Sequence, residues 1–169
     1  MITVQSSAIT KLVFFTLLST AIVYAGDTLS KFNAKQFVSV GPIAPVNVGK
    51  GKPVRAQIKF HVQDGYHINS NQPGSELLIP TIIKLDSPTQ VSIGKIEYPT
   101  GHDFALPIAP TEKLNVYSGD VLLTMLVSAG KKSAAGSYSV KGELKYQACN
   151  DNSCFPPKTL PVEFTVNIQ

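Results

Sequence analysis

From Val54 to Val62 apolar and polar residues alternate without a break. Val54, Ala56, Ile58, Phe60 and Val62 fall on one parity, and Arg55, Gln57, Lys59 and His61 on the other. A period of two is the mark of a strand with one buried face. Tyr138 to Ala148 and Leu160 to Ile168 alternate as well, which predicts two further strands. Gln36 to Val40, Val46 to Val48, Leu77 to Leu85 (with Pro80 as an edge or bulge) and Val91 to Tyr98 are shorter candidates. Val121 to Val127 is nearly all apolar and predicts a strand buried on both faces. Asp64-Gly65 and Tyr117 to Asp120 mark turns, Tyr66 to Gly74 reads as a strand end and loop, and Gly130 to Gly136 is polar and flexible. No stretch combines a helical period with caps. Seven or eight short strands separated by Gly/Pro turns predict an all-β fold, an immunoglobulin-like antiparallel β-sandwich. Pro99 to Lys113 carries Pro99, Gly101, Pro107 and Pro110 and shows no period. It reads as a loop of roughly a dozen residues, a length at which loops are usually functional or mobile.

The first residues do not fit this scheme. Lys11 is the only charge before Asp27, and Leu12 to Val23 is an apolar run of signal-peptide length. Val23-Tyr24-Ala25 suits a cleavage site, which predicts a signal peptide over 1–25 and a mature chain beginning at Gly26 or Asp27. The alternative is an uncleaved anchor. No cysteine follows the run to take a lipid, and no second long apolar stretch occurs. The expected product is a soluble periplasmic monomer without stable membrane insertion. Residues 26–52 form a lead-in with possible edge strands, and 53–169 form the domain proper. The formal net charge of +4 is dispersed, with no basic block longer than Lys131-Lys132. That distribution gives no case for nucleic acid or a membrane surface as partner.

The chain has only two cysteines, Cys149 and Cys154, in Tyr146-Gln-Ala-Cys-Asn-Asp-Asn-Ser-Cys-Phe-Pro-Pro157. Asn150 to Ser153 are turn formers, so the stretch predicts a hairpin whose loop carries both sulfurs. Export makes a disulfide the default state. Cys149 continues the polar parity of Ser139, Lys141, Glu143, Lys145 and Gln147, which predicts an outward sulfur; Cys154, inside the loop, has no readable parity. An accessible bond of this kind is open to exchange with an attacking thiolate. A plain staple is the competing reading, although closing so short a loop contributes only about 2 kcal/mol. A zinc or copper site would need His61, His67 or His102 to converge on two thiolates, and no histidine lies at ligand spacing from either cysteine.

The same run, Tyr-Gln-x-Cys followed by a short polar loop and Cys-x-Pro-Pro, resembles the active-site hairpin of the N-terminal periplasmic domain of the bacterial thiol:disulfide interchange reductase DsbD. Asp64-Gly-Tyr-His-Ile-Asn69 and Val116-Tyr117 before a turn and an apolar strand extend the resemblance over about Lys52 to Ile168. The resemblance implies an immunoglobulin-like domain that shuttles electrons through its cysteine pair, with no metal and no organic cofactor. It gives Cys154 the mixed disulfide with a partner and Cys149 the resolving role. It also implies an aromatic cap over the sulfurs; Phe104 and Asp103 in the irregular 99–113 segment are the candidates. The implied partners are thioredoxin-like or other periplasmic redox proteins. Two departures stand out. The familiar family members continue into a membrane domain and a thioredoxin-like domain, so a stand-alone chain is expected to take electrons from a separate protein. The cysteine gap is one residue shorter than in the best-known member. The rival function is a non-redox extracytoplasmic binding or assembly module with a structural hairpin disulfide.

The remaining candidates carry two readings each. His67 could favour a thiolate as an imidazolium beside the sulfurs, or be a half-exposed sheet histidine. Tyr66 and Tyr146 could line the site or belong to core and rim. Pro156-Pro157 rigidify the chain after the loop. His61 belongs to a polar face, and His102 next to the proposed cap has no assigned role.

Overall fold

The unbroken alternation over Val54–Val62 is one strand, and its residues are buried and exposed in strict turn. Around it the computed structural model describes residues 35–106 and 109–169. In chain order the strands are β1 (Val38–Val40), β2 (Val46–Val48), β3 (Val54–Val62), β4 (His67–Asn69), β5 (Ile82–Asp86), β6 (Val91–Ile93), β7 (His102–Leu106), β8 (Ala109–Tyr117), β9 (Asp120–Ala129), β10 (Gly136–Tyr146), β11 (Ala148–Cys149) and β12 (Lys158–Ile168). No helix occurs among the described residues. The proposed signal peptide and its cleavage site lie outside the described residues.

Two sheets form the sandwich, in the orders β1-β3-β9-β6 and β2-β12-β10-β5. All pairings are antiparallel except β2 with β12, where Val46 to Val48 run parallel to Val166 to Ile168. Val38, Ile58, Phe60, Leu123 and Met125 from the first sheet and Val140, Leu144, Tyr146 and Val166 from the second are fully buried in one core. This is an immunoglobulin-like β-sandwich. The long hairpin β10–β12 keeps perfect register from Gly136↔Ile168 to Tyr146↔Lys158. Gly142 lets β5 close on β10: a Cβ there would stand 2.2 Å from the Lys84 carbonyl oxygen and 2.7 Å from Leu85 Cδ2.

A third, smaller sheet, ordered β11-β4-β8-β7, joins the same core through Ile68, Tyr117 and Ala148. It changes the reading of 99–113, which is not an irregular loop. Most of it is the hairpin β7–β8, pairing His102↔Val116 through Ala105↔Lys113. The pairing then jumps to Leu106↔Ala109, leaving 110–112 without partners on β7. Pro110 falls in that bulge, so its missing N–H removes no rung of the ladder.

Two other expectations change. β9 is not buried on both faces. Burial alternates along it, and the outward-facing Leu122 and Leu126 are 42% and 49% exposed. Of Leu77 to Leu85, only the part after Thr81 is a strand, and Leu77 stands 93% exposed in the preceding bend.

Candidate functional site

The site begins where β10 ends. At Gln147 the chain leaves the β10–β12 hairpin, and Ala148 and Cys149 pair with Ile68 and His67 of β4 instead. Gln147 holds this change of sheet: its Nε2 donates to the Phe155 carbonyl (3.2 Å), and its Oε1 accepts from Asn69 Nδ2 (3.2 Å). Asn69 Nδ2 also donates to the Ile79 carbonyl at 2.9 Å. The interruption cancels the parity rule. Ala148 and Cys149 are both buried, and Cys149 has no exposed surface at all, so its sulfur does not point outward.

Beyond Cys149 the chain makes a tight turn. Asn150 N donates to the Ser153 carbonyl (2.9 Å), while Asn150 Oδ1 accepts from the amides of Asn152 (2.9 Å) and Ser153 (2.8 Å). An asparagine at this place substitutes its side chain for a turn carbonyl, which explains the Asn-Asp-Asn-Ser composition. The turn brings Cys154 back onto Cys149, with an S–S bond of 2.02 Å and Cα atoms 4.0 Å apart. Phe155 N then donates to the Ala148 carbonyl at 2.8 Å. Cys154 is exposed. One disulfide therefore joins an exposed cysteine to one sealed from solvent.

The pairing register puts Cys149, His67, His102 and Phe104 on one face of the small sheet. His67 is 5% exposed, and its ring lies on that of Phe104 with centroids 4.1 Å apart. Burial lowers its pKa from 6.5; Asp151 opposes this in part and His102 reinforces it. His67 is thus a buried neutral imidazole, neither the half-exposed sheet residue nor the imidazolium considered from the sequence. Its Nε2 makes no hydrogen bond among the described residues. A cleft of about 210 Å3 opens here, lined by Tyr66, His67, His102, Phe104, Ser118 and Asp151. Neither cysteine lines it; three larger clefts, of about 580, 640 and 450 Å3, contain none of these side chains.

The other candidates separate. Phe104 covers His67, the cross-strand neighbour of Cys149. Asp103 alternates to the opposite face and faces Lys113 at 3.5 Å, both side chains exposed. Tyr66 belongs to an aromatic cluster with Phe37 (4.8 Å) and Phe155 (5.9 Å), so Phe155 ties the residue after Cys154 to β1's leading end. Lys35 Nζ stands 4.5 Å over the Tyr66 ring and donates to its hydroxyl; Lys158 Nζ stands 5.0 Å over Phe37. Tyr146 does not line the cleft. It is fully buried in the core, where burial raises its pKa and its hydroxyl lacks a hydrogen-bond partner of normal geometry among the described residues. His61 is remote and bonds Asp120 at 2.8 Å. His102, which sequence reasoning left without a role, lines the cleft with its Nε2 3.4 Å from Ser118 Oγ. Reading its segment as a loop concealed it; alternation with Phe104 was the available signal.

The family model described as "Thiol:disulfide interchange protein DsbD, N-terminal" matches residues 34–165. No curated protein matches the chain. Similar solved structures include the DsbD N-terminal domain of Neisseria meningitidis in its reduced form, at 19% identity over 66% of this chain and 76% of that one, with a TM-score of 0.43. The N-terminal periplasmic domain of ScsB from Proteus mirabilis is 14% identical over 75% of this chain, with a TM-score of 0.48, and only 44% of that longer chain is spanned. The seventh ScaB type I cohesin from Pseudobacteroides cellulosolvens is 14% identical over 79% and 92% of the two chains, with a TM-score of 0.48.

Proposed function

The chain belongs to the family of N-terminal domains of the thiol:disulfide interchange protein DsbD, and on that premise we propose that it is a periplasmic electron carrier working through Cys149 and Cys154. The observation that carries this reading is the unequal exposure of the two cysteines. An incoming thiolate meets Cys154 Sγ, not Cys149 Sγ. Attack forms a bond from the partner's sulfur to Cys154 and breaks the Cys149–Cys154 bond, and Cys149 leaves carrying the electron pair. A second thiolate of the partner then attacks its own sulfur in the mixed disulfide and releases Cys154. Two electrons have passed to the domain, and the partner has become a disulfide. The reverse sequence, in which Cys149 attacks Cys154 Sγ and expels the partner, passes them on. Cys154 is therefore assigned the mixed disulfide and Cys149 the resolving step.

The partners of this reading are redox proteins, thioredoxin-like dithiols foremost, and the activity is of the protein-disulfide reductase type. The Leu12 to Val23 run supports export with cleavage after Ala25. The ScsB domain among the similar structures is itself periplasmic. Phe104, over His67, is assigned the cap.

Cys149→Ser tests the assignment. With a thioredoxin-like protein whose one remaining active-site cysteine is held as a mixed disulfide with thionitrobenzoate, the variant's Cys154 thiolate should displace thionitrobenzoate and accumulate an interprotein disulfide that persists until external thiol is added. Cys154→Ser should accumulate none. If neither variant traps a partner and the native bond resists mild reductant, the disulfide is a staple and the domain a binding module.

A further inference from the structure

Cys149 must gain a proton when it leaves the disulfide and lose one when it attacks, yet water does not reach it: the residue has no exposed surface. Burial in apolar surroundings also disfavours its anion. The group beside it is His67, its antiparallel register partner on β4. Side chains so paired rise from the same face with Cβ atoms about 5 Å apart. His67 Nε2 is buried and without a partner among the described residues, although buried polar atoms are as a rule hydrogen-bonded. A disulfide has no proton to donate to it. A Cys149 thiol has one, so the orphan nitrogen fits a pocket built for the reduced pair.

Resting on the exchange reading above, we propose that His67 is the proton carrier for Cys149, accepting its thiol proton before resolution and returning it when the disulfide is cleaved. In resolution the Cys149 proton passes to His67 Nε2. The Cys149 sulfur then bonds Cys154 Sγ, and the partner's sulfur departs with the electron pair. The imidazolium later loses its proton through the cleft. Attack by a partner on the disulfide runs these transfers backwards. The groups facing His67 are His102 and Phe104 from β7, Asp151 from the cysteine loop, Ser118 after β8, and Tyr66 on its own segment. Asp151 favours the imidazolium and His102 opposes it, while burial leaves the ring neutral and able to accept near neutral pH.

Reduced protein mixed with Ellman's reagent separates the steps. The first thionitrobenzoate released reports attack by Cys154, and the second reports resolution by Cys149. In the wild type the second rate should level off above the titration of His67. In His67→Phe, which keeps a ring on Phe104, and in His67→Gln, which keeps polarity without a transferable proton, it should climb with pH into the ordinary thiol range near about 8.5. Near neutral pH both variants should resolve about 100-fold more slowly, the lower end for a positioned base. Superimposable profiles in wild type and whichever variant retains its melting transition would overturn the role of His67 alone. If Cys149→Ser fails to hold the mixed disulfide, the exchange reading falls and this inference falls with it.

Discussion

The two thiols of the reduced domain should differ in alkylation rate by about two decades, the span set by local opening of β11. Exposed Cys154 reacts from the folded state, whereas Cys149 reacts only when β11 lifts from β4. That opening breaks the β11–β4 pairing at its two rungs, Ala148↔Ile68 and Cys149↔His67, the bond from Asn69 N to the Gln147 carbonyl among them. At about 1 kcal/mol net each, with about 1 kcal/mol for exposing the Cys149 side chain, the total is about 3 kcal/mol. Each 1.4 kcal/mol is about tenfold in population, so Cys149 is accessible in under about 1% of molecules. The assay uses single-cysteine variants, Cys149→Ser and Cys154→Ser, with iodoacetamide at one pH and mass-spectrometric readout. Cys154 in the first should react about 100-fold faster than Cys149 in the second, and in denaturant the ratio should fall to about one. Equal rates in the native buffer would refute the sealed position of Cys149 and the division of labour drawn from it.

Three further outcomes follow from the geometry. Tyr146→Phe removes a buried hydroxyl that lacks a hydrogen-bond partner of normal geometry among the described residues, and should raise the denaturation midpoint, by about 1 kcal/mol of stability; a loss of that size would mean the hydroxyl is paired. Gly142→Val drives a side chain into the Lys84 carbonyl and Leu85 and should cost about 2–4 kcal/mol, read from urea unfolding, with β5 amides losing exchange protection first. Because burial depresses His67, the unfolded chain binds a proton the folded one does not. Stability present above the ordinary histidine value of 6.5 is then lost as pH falls through the folded-state value. Urea midpoints of wild type and His67→Phe should diverge between about pH 7.5 and pH 5, the wild type declining more steeply; parallel declines would show His67 protonates as freely folded as unfolded.

The strands of the sandwich were legible because each buries one face. β3 begins and ends where the alternation does, and Tyr138, Val140, Leu144 and Tyr146 share the face that the parity assigned them. β9 misled because outward leucines make a half-buried strand look fully apolar. The β7–β8 hairpin was hidden by Pro107 and Pro110, since local composition does not reveal that a bulge absorbs 110–112. At the candidate site, the cysteine pair and its Asn-rich turn could be read locally. The burial of Cys149 could not. It follows from the change of sheet at Gln147, fixed by Asn69, 78 residues away in sequence, and by Phe155. His67 was noticed for its closeness in motif, but its neutrality comes from β7 laying Phe104 on it.

Because Gln147 hands the chain from one sheet to another, the bond between the sulfurs lies outside the ladder that joins β10 to β12. The bond links a two-residue strand, itself paired to β4, to a short turn, and no rung of the long hairpin includes either cysteine. The architecture thus sets the exchangeable bond apart from the frame: breaking it removes no rung of the ladder that carries β10 and β12.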